Sequence, residues 1–185
     1  MITFAPLKLN HKVVDYLKNF VIPFVGLSTG DHEFEFLIDD KFFECFEYSE
    51  IKRAHVNVNL NLKKHDRMLE FTFTMTGTLE VTCSRCLDQF DLPIEGEEVL
   101  FVKFGHEYKE EDDDVIVIPE TDSQINISPF IYDYLSLMVP FRVIHPENED
   151  GHSACDPDVI SRIDKSSEQK EVDPRWDKLR DLNVE

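Results

Sequence analysis

The chain has 185 residues, 42% of them hydrophobic, with 38 acidic against 19 basic side chains and a formal charge of -19. That length and apolar content suffice for one sizeable core, so a single domain with tails is expected. The acidic excess repels phosphate backbones at long range, which argues against non-specific nucleic-acid binding and favours basic partners.

The opening "MITFAPLKLN" has no charged n-region followed by an apolar h-region, and the longest apolar run, "VIPFVGL", is far too short to span a bilayer. A soluble, cytoplasmic protein without membrane attachment is expected. In that compartment four cysteines are reduced, metal-bound or incidental rather than a disulfide framework.

In chain order, "FVIPFVGL", the Gly-containing "STGD" and then "EFEFLID", with Phe34, Phe36 and Ile38 on one face, read as a first pair of strands. "DDKFFECFEYSE" clusters Phe42, Phe43 and Phe46 behind Asp39 or Asp40 as a cap, which suits a short helix. Cys45 falls among these phenylalanines and reads as a small core residue. "HVNVNLNLK" then places Val56, Val58, Leu60 and Leu62 on one face and Asn57, Asn59 and Asn61 on the other. "LEFTFTMTGTLEVT" repeats the alternation with Leu69, Phe71, Phe73, Met75, Leu79 and Val81. With "KHDR" as the turn, these two segments predict an antiparallel hairpin.

Strand parity continues through Cys83, and "FDLPIEG" resumes it with Phe90, Leu92 and Ile94, so "CSRC" sits at a strand-to-strand reversal. The acidic "EEDDD" (110–114) and "HPENEDG" (145–151) read as solvated loops, the less favoured reading being a divalent ion held by Asp112, Asp113 and Asp114. In "NISPFIYDYLSLMVPF", Ser128 is a good N-cap and Pro129 fits the first helical position. Phe130, Ile131, Tyr134, Leu135 and Met138 form a buried stripe, and the helix ends before Pro140.

Residues 146–172 are polar and without sustained periodicity beyond a turn of helix at "DPDVISRI", which predicts a linker. "DPRWDKLRDL" follows, with Asp173 as cap and with Trp176, Leu179 and Leu182 three apart, so residues 173–185 predict a short amphipathic helix. The fold class is therefore α+β: a mostly antiparallel β-sheet over residues 1–145 with a few short helices, then the linker and the C-terminal helix.

Three readings compete for the Cys83/Cys86 pair. A zinc knuckle presents two thiolates from such a reversal and needs two more soft or borderline ligands; His145, His152 and Cys155 all lie just after the second helix. The knuckle would carry Leu87 where a glycine often follows the second cysteine. A redox pair needs its first cysteine at a helix N-terminus, against which Pro93 and the β-pattern argue. The bland reading leaves Cys83 in the core and Cys86 and Cys155 free. Phosphate-cradling glycine loops, G-x-S-x-G and H-E-x-x-H are all missing, so enzyme readings rest on the cysteines alone.

Taken together, "GDHEFEFLIDDKFF", "CSRCL", the "VP" and His145 of "MVPFRVIH", Cys155 and the closing "DPRWDKLRDL" resemble the YceD family, the large ribosomal RNA subunit accumulation proteins. The stretch between His145 and Cys155 looks longer than in shorter family members and adds His152 as a ligand candidate beside His145. The resemblance implies a bacterial protein, with plastid counterparts, needed for normal accumulation of large-subunit (23S) rRNA and often encoded beside a small basic large-subunit ribosomal protein. The expected function is a non-enzymatic ribosome biogenesis factor that binds a basic ribosomal protein or a preribosomal particle. The alternative is a metal-dependent or thiol-redox enzyme using Cys83 and Cys86. Direct contact with rRNA is confined to a limited patch, for which Lys63, Lys64 and Arg67, with Lys52 and Arg53 nearby, are the local basic cluster. Trp176 and Leu179 are candidate partner anchors.

Overall fold

The computed structural model describes residues 16–147 and 153–168. They belong to two compact units, one drawn from Met1–Val81 and Asp91–Phe141, the other from Thr82–Phe90 and Arg142–Glu185. No helix among the described residues is long and apolar enough to cross a membrane.

A mostly antiparallel sheet dominates the first unit. Its strands are β2 (Gly30–Ile38), β3 (Ala54–Lys64), β4 (Met68–Thr82), β5 (Gln89–Gly105), β6 (Lys109–Asp112) and β7 (Val115–Pro119), in the order β2-β3-β4-β5-β7-β6. β3 and β4 form the hairpin that the alternation predicts, with Val58 opposite Met75, Leu60 opposite Phe73 and Leu62 opposite Phe71. All six of those side chains are buried, while Asn57 and Asn59 face outward. A period of two with one apolar face leaves this register no alternative, because a slip by one residue would carry every apolar side chain into water.

The unit also contains two short helices, α1 (Asp40–Glu44) and α2 (Ser128–Leu137), and a 3-10 turn at Lys18–Phe20. Phe42 and Phe43 of α1 are buried, and the Phe42 ring meets Phe20 edge-on at 5.1 Å. Ile131, Tyr134 and Leu135 of α2 are buried, with Tyr134 edge-on to Phe73 at 5.4 Å. Phe130 and Met138, the other members of the predicted stripe, are half-buried. The helix stops ahead of Pro140, as the proline requires.

Several local expectations give way. "FVIPFVGL" and "EFEFLID" do not pair with each other: β1 (Val21–Pro23) joins β8 (Gln124–Asn126) in a separate two-stranded sheet, and β2 pairs with β3. The chain turns after Pro23, and Lys64 Nζ donates to the carbonyls of Phe24 at 2.9 Å and Leu27 at 2.8 Å, fastening that turn to the end of β3. "EEDDD" is not a loop throughout, since Glu110–Asp112 belong to edge strand β6 and Asp113–Asp114 make the turn into β7. Edge strands carry charge readily, because charge on an unpaired edge discourages pairing with another chain.

Capping differs in detail too. Ser128 is the first residue of α2 rather than its cap; its backbone N–H and its hydroxyl both donate to Asn126 Oδ1, at 3.0 and 2.9 Å. Asp39 does precede α1, yet its carboxylate accepts from the Tyr16 hydroxyl at 2.7 Å instead of from the helix. Cys45 is not a core residue: it is half-exposed at the end of α1, and its thiol donates to the Lys41 carbonyl at 3.2 Å.

In the second unit, α3 (Pro157–Glu168) runs through the stretch whose composition predicts a polar linker with one turn of helix. Asp156 starts it: its carboxylate accepts from Asp158 N at 2.8 Å, its carbonyl accepts from Ile160 N at 3.1 Å, and Pro157 supplies a preset φ. The predicted C-terminal helix at 173–185, with Trp176, Leu179 and Leu182, lies outside the described residues.

Candidate metal centre

β4 ends at Thr82 and β5 begins at Gln89, so "CSRC" occupies the reversal, as its parity predicts. Two backbone bonds close it: Cys83 N donates to Asp88 O at 2.8 Å, and Leu87 N to Cys83 O at 3.0 Å. Leu87 sits in the left-handed region at φ 66°, the conformation a glycine would adopt without strain. The tight loop turns backbone N–H groups toward sulfur, and Arg85 N lies 3.4 Å from Cys83 Sγ.

The other two donors come from residues 142–155 of the same unit. Ser84 N donates to Val143 O at 2.7 Å, which holds the approach to His145 against the reversal. The His145 ring lies on Phe90, centroids 4.4 Å apart. Glu147 and Ser153 form an antiparallel bridge, Ala154 N donates to Pro146 O, and Cys155 N donates to the Ser153 hydroxyl, so Cys155 returns toward the knuckle just before α3. Val159 and Ile160 of α3 pack with Phe90 around the three buried cysteines.

The donor atoms of Cys83, Cys86, His145 and Cys155 all lie within 4.8 Å of one another. Cys83 Sγ to Cys155 Sγ is 3.7 Å, Cys86 Sγ to His145 Nδ1 is 3.3 Å and Cys155 Sγ to His145 Nδ1 is 3.6 Å. Around a tetrahedral zinc, bonds of about 2.3 Å to sulfur and about 2.05 Å to nitrogen give S···S edges near ~3.8 Å and S···N edges near ~3.5 Å. Three of the six edges fall near those values and the others stay within 4.8 Å, so the four groups are close enough together to hold a metal ion.

Electrostatics favour the thiolate at two of the three cysteines. Burial by itself would raise the Cys83 thiol, but backbone N–H groups of Cys86 and Arg85 and contacts with His145 and Cys86 outweigh it and bring the thiol down to about 5. Cys155 is lowered chiefly by the Ser153 hydroxyl, against burial, with help from His145. Burial raises Cys86. His145 is pushed down by burial but raised overall by its bonds to Cys155 and Cys83. Two depressed thiols, a third thiol and an imidazole together suit a soft or borderline cation, whose binding would displace the remaining protons.

The sequence singles out five candidates here, and four of them converge. His152 lies outside the described residues. Phe90 and Ser153 support the cluster and were not singled out for it; the only sequence signal for Phe90 is its place in the "FDLPIEG" alternation. Among the basic candidates, Lys63 and Arg67 are exposed at the hairpin turn, Lys64 is committed to backbone carbonyls, and Arg53 pairs with the buried carboxylate of Glu80. Lys52 Nζ donates to Ser49 O at 2.7 Å.

The family model of the large ribosomal RNA subunit accumulation protein YceD matches residues 71–183, a span that holds all four clustered residues. The chain belongs to the YceD family. Consistently, it is 32% identical over 140 residues to the uncharacterized protein YlbN of Bacillus subtilis (strain 168), covering 72% of this chain and 78% of that protein. No solved structure matches it. In this YceD-family chain the cluster combines a reversal between two β-strands with a segment beyond α2, so residues 59 and 72 positions apart in sequence become neighbours.

Proposed function

We propose that this protein is a non-enzymatic biogenesis factor supporting the accumulation of large-subunit (23S) rRNA, and that Cys83, Cys86, His145 and Cys155 hold a structural zinc within it. The observation that carries the zinc reading is the set of four donors gathered within 4.8 Å of one another, three of them buried cysteines. Catalytic zinc keeps a coordination position open for water or substrate, and four protein donors leave none. The ion would tie the 142–155 segment to the knuckle, and this chain's own residues position and enclose its ligands.

The description of the family supports the rRNA role. At a formal charge of -19, the chain suits a basic ribosomal protein, or a preribosomal particle through a limited patch, better than naked RNA. Trp176 and Leu179 are proposed anchors in that association. The thiol-redox alternative has the depressed Cys83 in its favour, but Cys83 is fully buried and lies on no helix N-terminus.

Two measurements test the reading. Protein produced with ample zinc should carry about one zinc per chain and lose it in Cys83→Ser; substoichiometric metal with freely titrating native thiols would refute the centre. The tagged chain should cosediment with large-subunit precursors and lose them when residues 173–185 are deleted, with thermal stability nearly unchanged. High-affinity recovery of naked rRNA alone would refute the assembly role.

A further inference from the structure

A cleft of about 790 Å³ opens in the first unit between α2 and the β6–β7 hairpin. Among the described residues seven carboxylates line it, from Glu98, Glu110, Glu111, Asp112, Asp113, Asp114 and Asp133, and no basic residue does. Three are already engaged: Glu111 pairs with Lys103 at 2.9 Å and Lys109 at 3.8 Å, Glu110 accepts from Tyr108 at 2.9 Å, and one oxygen of Asp112 accepts from Asp113 N at 3.0 Å. Glu98, Asp112, Asp113, Asp114 and Asp133 have no cationic partner among the described residues. Phe130, Leu137 and Ile116 supply apolar wall between them, and Leu137 is 80% exposed.

An acidic rim is often only a solvated surface. Tyr134 distinguishes this one. It lines the cleft at 7% exposure, and its hydroxyl is buried with no hydrogen-bond partner among the described residues. A buried tyrosine hydroxyl ordinarily finds one. Burial first, then the charges of Asp114, Glu98 and Asp133, push it up to about 12. Asp133 is itself raised, by burial and then by the charge of Glu110.

We propose that this cleft binds lysine and arginine side chains of a basic protein segment, with Asp112, Asp113, Asp114 and Asp133 receiving the cationic heads and the Tyr134 hydroxyl accepting a hydrogen bond from one of them. The aliphatic stems of such residues lie along Phe130 and Leu137, since lysine and arginine cover apolar surface while keeping their charge among polar groups. The inference rests on the basic-partner part of the reading above and places that partner on the face formed by α2 and the β6–β7 hairpin.

The test uses the full chain and a fluorescent nine-residue Lys/Arg peptide, with affinity read by anisotropy. Asp112→Asn/Asp113→Asn/Asp114→Asn keeps the side-chain acceptors and removes three charges. It should weaken binding roughly 10- to 30-fold, as expected for three partly exposed ion pairs. Asp31→Asn/Glu33→Gln/Glu35→Gln removes the same charge from exposed positions on β2 and should cost less than about 3-fold. Tyr134→Phe should weaken binding about 5-fold with the melting temperature kept. Equal losses in the two triple variants, an unchanged Tyr134→Phe, or tight uptake of Mg²⁺ or Ca²⁺ by a cleft that ignores the peptide would each overturn the proposal. Cosedimentation with large-subunit precursors, measured in parallel, separates the two ideas. Precursors retained by the Asp112–Asp114 triple overturn the cleft and leave the assembly role standing; their loss from the wild-type chain overturns the assembly role while the peptide still judges the cleft.

Discussion

Leu87 offers a test of backbone geometry beside the metal centre in which the expected sign is the reverse of the usual one. A leucine at φ 66° carries a Cβ clash of about 1–2 kcal/mol that glycine does not have. Substituting glycine also removes a side chain that is 74% exposed and loosens the unfolded chain, at about 0.5–1 kcal/mol for the latter. Comparing Leu87→Gly with Leu87→Ala cancels the side-chain loss, because both variants remove it, while alanine keeps the Cβ clash. Glycine should therefore be the more stable of the two by about 0.5–1 kcal/mol, whereas at an ordinary site alanine leads by a similar amount. For a chain of this size that difference corresponds to about 2 °C in melting temperature. Thermal melts of the metal-loaded variants, with amide exchange at residue 87, whose N–H bonds to Cys83 O, provide the readout. An alanine variant as stable as the glycine variant would refute the claim that the knuckle needs a left-handed residue there.

Stripping the metal with a strong chelator should abolish amide protection at 83–88 and 153–165 while the β3–β4 hairpin stays protected, because a structural zinc contributes about 10–16 kcal/mol to folding and the second unit packs only a few apolar side chains around its cysteines; retained protection in both regions would count against the centre. Gly77→Ala would bring a Cβ to 2.1 Å from the His55 carbonyl oxygen and 2.6 Å from Val56 Cα, both backbone, and should cost about 2–3 kcal/mol or more in chemical denaturation. Gly96→Ala meets only the flexible end of Met138 at 2.5 Å and should cost less than about 1 kcal/mol, so equal costs would contradict the packing described. Arg53→Ala leaves the Glu80 carboxylate, 6% exposed, without its partner and should cost about 1–2 kcal/mol, against less than about 0.5 for Lys63→Ala at an exposed position; urea melts of the two variants decide.

Much of the sheet was legible because one-sided burial imposes a period of two. Val56 to Leu62 and Leu69 to Leu79 carry that period strictly, and a four-residue turn leaves the two segments few ways to meet other than the observed hairpin. The same logic placed Cys83 and Cys86 at a reversal and the α2 stop ahead of Pro140. Grouping His145 and Cys155 with the knuckle needed only chemistry, since thiolates and imidazoles spaced along one short segment suit one ion.

What the sequence could not contain was the choice among distant partners. Nothing local to "VIP" selects β8, about a hundred residues away, over β2, and a three-residue strand has too little pattern to specify either. β7 lies parallel to β5 and carries β6 on its outer edge, which turns an acidic run with loop composition into a strand and, with α2, into the wall of a cleft. Helix α3 hides in a polar stretch because its few apolar contacts, Val159 and Ile160, are supplied by a cysteine cluster assembled from elsewhere in the chain. Periodicity reports which face of a segment is buried; it does not report against what. That is settled only when non-local contacts compensate the entropy of closing long loops, and the left-handed Leu87 and the unpartnered Tyr134 hydroxyl exist only in the closed structure.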